Sequence, residues 1–138
     1  MAKKFRGVEI IEQIDEALDR GLARFLILTQ GKLSKSSPID SGRLASSFFI
    51  GQGVPDRSVP AERPKGAADV SITKPSQKIT MESDWWLSSN LEYSERACFN
   101  PKWAKGGRGG GAAWFTKIAN GLDNDAERAF RYFLKKVK

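Results

Sequence analysis

The side chains that could do chemistry are few in kind. Histidine is absent, and Cys98 is the single cysteine among 138 residues. That excludes an intrachain disulfide, a Cys/His zinc site, and any triad or general base built on imidazole. Cys98 as a nucleophile would lack its usual imidazole partner, and it reads as a buried structural thiol. There are sixteen carboxylates, but no pair has the spacing or context of acid–base work. Asp40, Asp69, Asp84 and Glu92 are the ones a fold could bring together. The run Lys105-Gly106-Gly107-Arg108-Gly109-Gly110-Gly111 is rich enough in glycine to cradle a phosphate. It lacks the Gly-Lys-Ser/Thr ending of a P-loop, and no Gly-x-Gly-x-x-Gly follows a clear strand. Its Arg-Gly-Gly is a weak RNA-binding signal, and the run reads first as a flexible connector. No enzyme, cofactor or metal site is expected.

Charge is the next signal. Lys and Arg number 23 against 16 Asp and Glu, giving +7 and a pI near 9.7. Such a balance permits contact with nucleic acid or an acidic protein surface without requiring either. The candidate contacts are Arg108 in the glycine run and Arg128, Arg131, Lys135, Lys136 and Lys138 near the C-terminus. The bland reading of that tail is that it complements a helix dipole and keeps the chain soluble. Hydrophobic residues make up 40% and charged residues 28%, the composition of a soluble globular domain. No apolar run approaches the roughly 20 residues of a membrane span, so no membrane partner is expected. The basic start, Met1 to Arg6, is not followed by an apolar signal core, which predicts a chain that stays in the cytosol where it is made.

The elements that must position these residues follow from periodicity. From about Val8 to Ser34, Ile11, Ile14, Leu18, Leu22, Phe25 and Leu26 or Leu28 recur at helical steps, with acids and bases opposite. The helix would be about 40 Å long, either covering a core or packing its far end on a neighbouring subunit. Gly21 inside it marks a close crossing or a break. Pro38 stops the helix, and Asp40 or Ser41 can cap a restart. Ala45–Gln52 should be extended, with Phe48 and Ile50 on one face and Phe49 on the other. Residues 53–66, with Pro55, Pro60 and Pro64, read as a protruding loop or arm. Residues 68–73 and 77–81 alternate as strands around a Lys74-Pro75-Ser76 turn.

Residues 84–87 follow as a strand whose Trp85 and Trp86 point to opposite faces. One ring joins the core, and the other is exposed or covered by a partner. Residues 88–100 carry a turn near Asn90 and a short extended or helical piece around Tyr93. Residues 101–111 form the Gly-rich flexible loop. Residues 112–137 form a second helical region, kinked or divided at Asn120-Gly121. The whole predicts a single α+β domain over 1–138: a long N-terminal helix, an antiparallel sheet of about four or five strands, and a C-terminal helix packed on the sheet.

Three of these features, in order, resemble a family of tail components of long-tailed bacteriophages: minor tail, tail-completion or neck (head–tail joining) proteins. The long helix leads into Pro38-Ile39-Asp40-Ser41-Gly42-Arg43-Leu44, matching a Pro-(Val/Ile)-Asp-(Thr/Ser)-Gly-x-Leu signature. Asn90-Leu91-Glu92-Tyr93-Ser94, then Cys98-Phe99-Asn100, is similar to an Asn-x-x-Tyr-Ala segment leading to Glu-(aromatic)-Gly. Here Ser94 stands for the usual alanine, Cys98 for glutamate and Asn100 for glycine. A flexible loop and a C-terminal helix complete the pattern.

The resemblance implies a non-enzymatic virion protein, made in the host bacterial cytoplasm, that forms a homo-oligomeric ring in the neck or tail around the DNA channel. Its partners would be portal-side adaptor and tail proteins, with non-specific proximity to DNA. Trp85, Trp86, Pro60 and Pro64 are then candidate subunit contacts. The alternative reading is a small basic nucleic-acid-binding protein, whose DNA affinity would fall steeply with salt.

Overall fold

The computed structural model describes residues 7–38, 42–62, 70–99 and 113–137. Helix α1 spans Gly7–Ser36, strand β1 Phe48–Gln52 and strand β2 Trp85–Ser89. Helices α2 (Ser94–Phe99), α3 (Trp114–Asn120) and α4 (Leu122–Leu134) follow. The fold mixes helix and strand around α1, which at 30 residues is about 45 Å long.

α1 forms where the apolar period predicts it and contains no proline. It ends just before Pro38, where the Ser37 amide bonds the Leu33 carbonyl at 3.1 Å and the Ser37 hydroxyl donates to the Ser34 carbonyl at 3.0 Å. The chain then makes one tight turn over 42–47. Gly42 sits at φ 82°, in the left-handed region that disfavours a Cβ. Serines stitch this turn to its surroundings. Ser34 donates to the Ala45 carbonyl at 2.5 Å, Ser46 to Gly42 at 2.7 Å, and Ser47 to Leu44 at 2.7 Å. Each hydroxyl gives a buried backbone carbonyl a donor, and the Gly42 and Leu44 carbonyls also accept from the Ser46 and Ser47 amides.

The expected sheet of four or five strands is corrected to one of two. Within the described residues β1 pairs antiparallel with β2, placing Phe48 opposite Ser89, Ile50 opposite Leu87 and Gly51 opposite Trp86. The alternating segments around Lys74-Pro75-Ser76 are irregular. Their backbone groups are taken by side chains instead of a ladder. The Ser71 amide donates to the Ser46 hydroxyl at 2.9 Å, and the Thr73 carbonyl accepts from Gln30 Nε2 at 2.8 Å. Val70 and Ile72 stay exposed while Ile79 is buried, so the alternation does not bury one continuous face.

The expectation that the C-terminal helix packs on the sheet is also corrected. α4 lies against α1 and runs antiparallel to it. Asp125 meets Lys32 at one end of the pair, and Val137 lies beside Gln13 and Ala17 at the other. Gly21 makes the crossing possible. A Cβ there would stand 2.6 Å from Phe130 Cδ1 and 2.9 Å from Phe130 Cα. The second helical region divides at Gly121 into α3 and α4.

Two apolar clusters share α1. One gathers Leu33, Leu44, Phe48, Leu91, Ala97, Cys98 and Trp114. The other joins Leu26, Ile50 and Ile79, with Trp85 and Leu22 against them. Gln30, only 1% exposed, ties the structure together across the middle. Its Nε2 donates to the Phe48 and Thr73 carbonyls, both at 2.8 Å.

Candidate assembly surfaces

Leu44 of the first signature and Leu91, Tyr93 and Cys98 of the second segment belong to the first cluster. Leu44 and Leu91 are buried there, and Tyr93 packs against them half-buried. The Ser47 and Ser89 hydroxyls meet at 2.7 Å, joining the two segments again. Pro38 is half-buried at the end of α1. Asp40 and Ser41 lie outside the described residues, as do Asp69, Pro64, Arg108, Lys138 and the stretch 101–111. Asp84 and Glu92 are both exposed, and among the described residues no cluster of Cys, Asp and Glu could hold a metal.

Cys98 sits inside the first cluster, and burial pushes its thiol up to about 11. The thiol is therefore protonated at neutral pH and a poor nucleophile. Alkylation by iodoacetamide at pH 8 should be about a hundredfold slower in the folded chain than in urea, reflecting the lost thiolate fraction and access. The folded chain holds this proton to higher pH than the unfolded one. The associated stability is complete below the ordinary thiol range and declines as pH rises through about 11. Cys98→Ala should remove that part of the alkaline decline.

Trp85 and Trp86 take opposite faces of β2, as adjacent strand residues must. Trp85 packs on Leu26, Ile50 and Ile79, and its indole N–H donates to the Thr80 carbonyl at 2.7 Å. Trp86 faces outward and is 48% exposed.

The same outer face holds the proline-rich stretch that follows β1. Trp86 Nε1 donates to Gly53 O at 3.3 Å, Ser88 Oγ to Asp56 O at 3.4 Å, and Asn90 Nδ2 to Arg57 O at 3.3 Å. These donors alternate along the strand, so they form one row. Arg43 extends the grip by donating to Pro60 O at 3.0 Å. Gly53 turns the chain at φ 75°. Gly51 lets it lie flat, since a Cβ there would be 2.6 Å from the Asp56 amide nitrogen. Asp56 closes a small turn of its own: the Ser58 hydroxyl and amide hold its carboxyl below the usual range. Residues 53–62 thus run along the sheet with Val54 and Val59 exposed. The sequence places Trp86 and Asn90 at the correct spacing for this row, but nothing in it says that their acceptors are loop carbonyls.

A second surface is the start of α1. α4 comes alongside Gln13 and Ala17 with its last residues, and Val8 and Ile11, at 58% and 59%, are more exposed than any apolar residue of α1 beyond them. A third is the groove between α1 and α4. Phe25, Leu28, Ala129 and Tyr132 form its apolar part, and Arg24, Lys32 and Arg128 its rim, around a volume of about 310 Å³. Tyr132 lies between two cations, with the Arg24 guanidinium 4.4 Å and Lys136 Nζ 4.3 Å from its ring centre. Of the basic residues singled out in the sequence, Arg131 is paired with Glu127 and Arg128 and Lys135 are exposed. They are spread over α4 and the turn after it.

Comparison with known proteins found no matching family model, no matching curated protein and no matching solved structure.

Proposed function

We propose that this chain is a structural subunit of a phage neck or tail-completion ring, joining head-side connector proteins to the tail around the DNA channel. The observation that carries the reading is the apolar surface a single copy leaves open. Val8, Ile10 and Ile11 on α1 and Trp86 on β2 are large and water-facing, at two separate places on the molecule. Scattered exposed apolar residues are ordinary, and Val8 and Ile11, three residues apart on one side of the helix, are the pair that supports an interaction site. Two distinct surfaces suit a heterologous contact, which closes into a ring when the rotation between copies permits. The signature around Pro38–Leu44 and the Asn90–Tyr93 segment supports the same reading through their resemblance to tail-completion proteins. A protonated, buried thiol and a sequence without histidine are compatible with that reading.

Native mass spectrometry and negative-stain imaging test this, with the chain alone and mixed with the portal-side adaptor and tail proteins of its own phage. Ring-sized particles, or a stable complex with either partner, are the expected result. A chain that stays monomeric and binds none of them refutes the assignment.

A further inference from the structure

The distribution of charge along the chain is lopsided in a way its total hides. Gly7–Asp19 holds Glu9, Glu12, Asp15, Glu16 and Asp19 and no Lys or Arg, in a chain of net charge +7. Glu16 pairs with Arg20 and Asp19 accepts from the Met81 amide, and Glu12 and Asp15 are the pair the docking uses. The acidic stretch is also where α1 carries its most exposed aliphatic side chains, Val8 and Ile11. On the helix, Val8, Ile11 and Asp15 follow at three- and four-residue steps, so apolar and acidic groups line one side together. The groove between α1 and α4 has the opposite character. Leu28 and Tyr132 offer exposed apolar surface there, at 50% and 45%, between Arg24 and Arg128. Among the described residues its rim carries one carboxylate, Asp125, which Lys32 engages at 2.6 Å.

We infer that the first turns of α1 of one copy dock in the α1–α4 groove of a second copy. The occupant is an amphipathic helix end laid in an apolar groove, with Val8 and Ile11 against Leu28 and Tyr132. Glu12 and Asp15 face Arg128 and Arg24. The two surfaces are complementary in net charge, and two copies of the same surface are alike in sign, so tip-to-tip and groove-to-groove pairings are disfavoured. The contact is head-to-tail, and each copy keeps one free tip and one free groove for the next. This rests on the ring reading and gives it an interface.

The test uses the full chain with a photo-reactive benzoylphenylalanine at position 11, mixed with a heavy-isotope-labelled wild-type copy and illuminated at high protein concentration. The same group at position 8 is a second probe should the first disturb α1. Cross-links should land on labelled peptides from Arg24–Lys32 or Asp125–Tyr132. Arg128→Glu in the labelled copy should cut their yield about tenfold, as reversal of a facing charge does. Glu12→Lys with Asp15→Lys in the probe copy should restore it. Cross-links to labelled copies on other surfaces overturn the docking and leave the ring standing. Absence of intermolecular cross-links from both probes also overturns it. If the wild-type chain still binds adaptor or tail proteins in that case, the ring reading survives, and if it does not, both fall.

Discussion

Trp114→Ala should lower the unfolding free energy by about 4 kcal/mol, the loss expected when a large aromatic leaves a closed core. Trp114 is 1% exposed and is the largest fully buried side chain in the described structure. Its ring meets Phe48 edge to face at 6.4 Å, and its indole N–H donates to the Ala97 carbonyl at 3.0 Å. The substitution removes apolar contacts, an aromatic pair and a buried donor together, and takes that donor from the Ala97 carbonyl. It also removes the side chain that fixes α3 to β1 and α2. Urea unfolding followed by far-ultraviolet circular dichroism measures the loss. Trp114→Phe should fall between the two, because it keeps a ring but forfeits the N–H. A loss under about 1 kcal/mol for the alanine variant would place the centre of the core elsewhere.

Gly21→Ala is the second large effect, and its sign is the point of interest. Helix propensity alone says alanine stabilises α1 by about 1 kcal/mol. The packing says the reverse. The added methyl would meet both the ring and the backbone of Phe130 below 3 Å, and α4 cannot yield its backbone as a flexible side chain yields its tip. Overpacking of this kind costs about 1–3 kcal/mol, so the net change should be destabilising. Gly21→Leu should be worse and should separate α4 from α1. Thermal unfolding gives the sign, and faster hydrogen exchange in α4 than in β1 would localise the damage. A more stable alanine variant would mean that the two helices do not cross as closely as described.

Much of this framework was legible in the sequence, for reasons that can be named. α1 announces itself because eight or so turns of a single period add up, and Pro38 fixes its end by removing a donor. Trp85 and Trp86 had to part because neighbours on a strand always do. What was misread was the sheet. Residues 68–73 and 77–81 alternate as strands do, but alternation reports side-chain pattern and not where the backbone finds its partners. Here the partners are Gln30 and Ser46, a polar side chain inside a helix and a serine in a turn. Neither stands out by periodicity. The same blindness hid the α1–α4 pairing, since an apolar stripe on the last helix does not say which apolar stripe it meets. The charge on the first helix was visible as a solvated face, but its value as a complement emerges only once Arg24 and Arg128 are seen beside one groove.

The hydrogen bonds of Trp86, Ser88 and Asn90 to the neighbouring loop go to its carbonyl oxygens, which every amino acid possesses. The route of that segment is therefore indifferent to most of its spelling. Gly51, Gly53 and Pro55 constrain the path, while Val54, Arg57 and Val59 merely ride on it. Evolution, or an engineer, can exchange those three letters to change what the surface greets without rebuilding the frame that displays it.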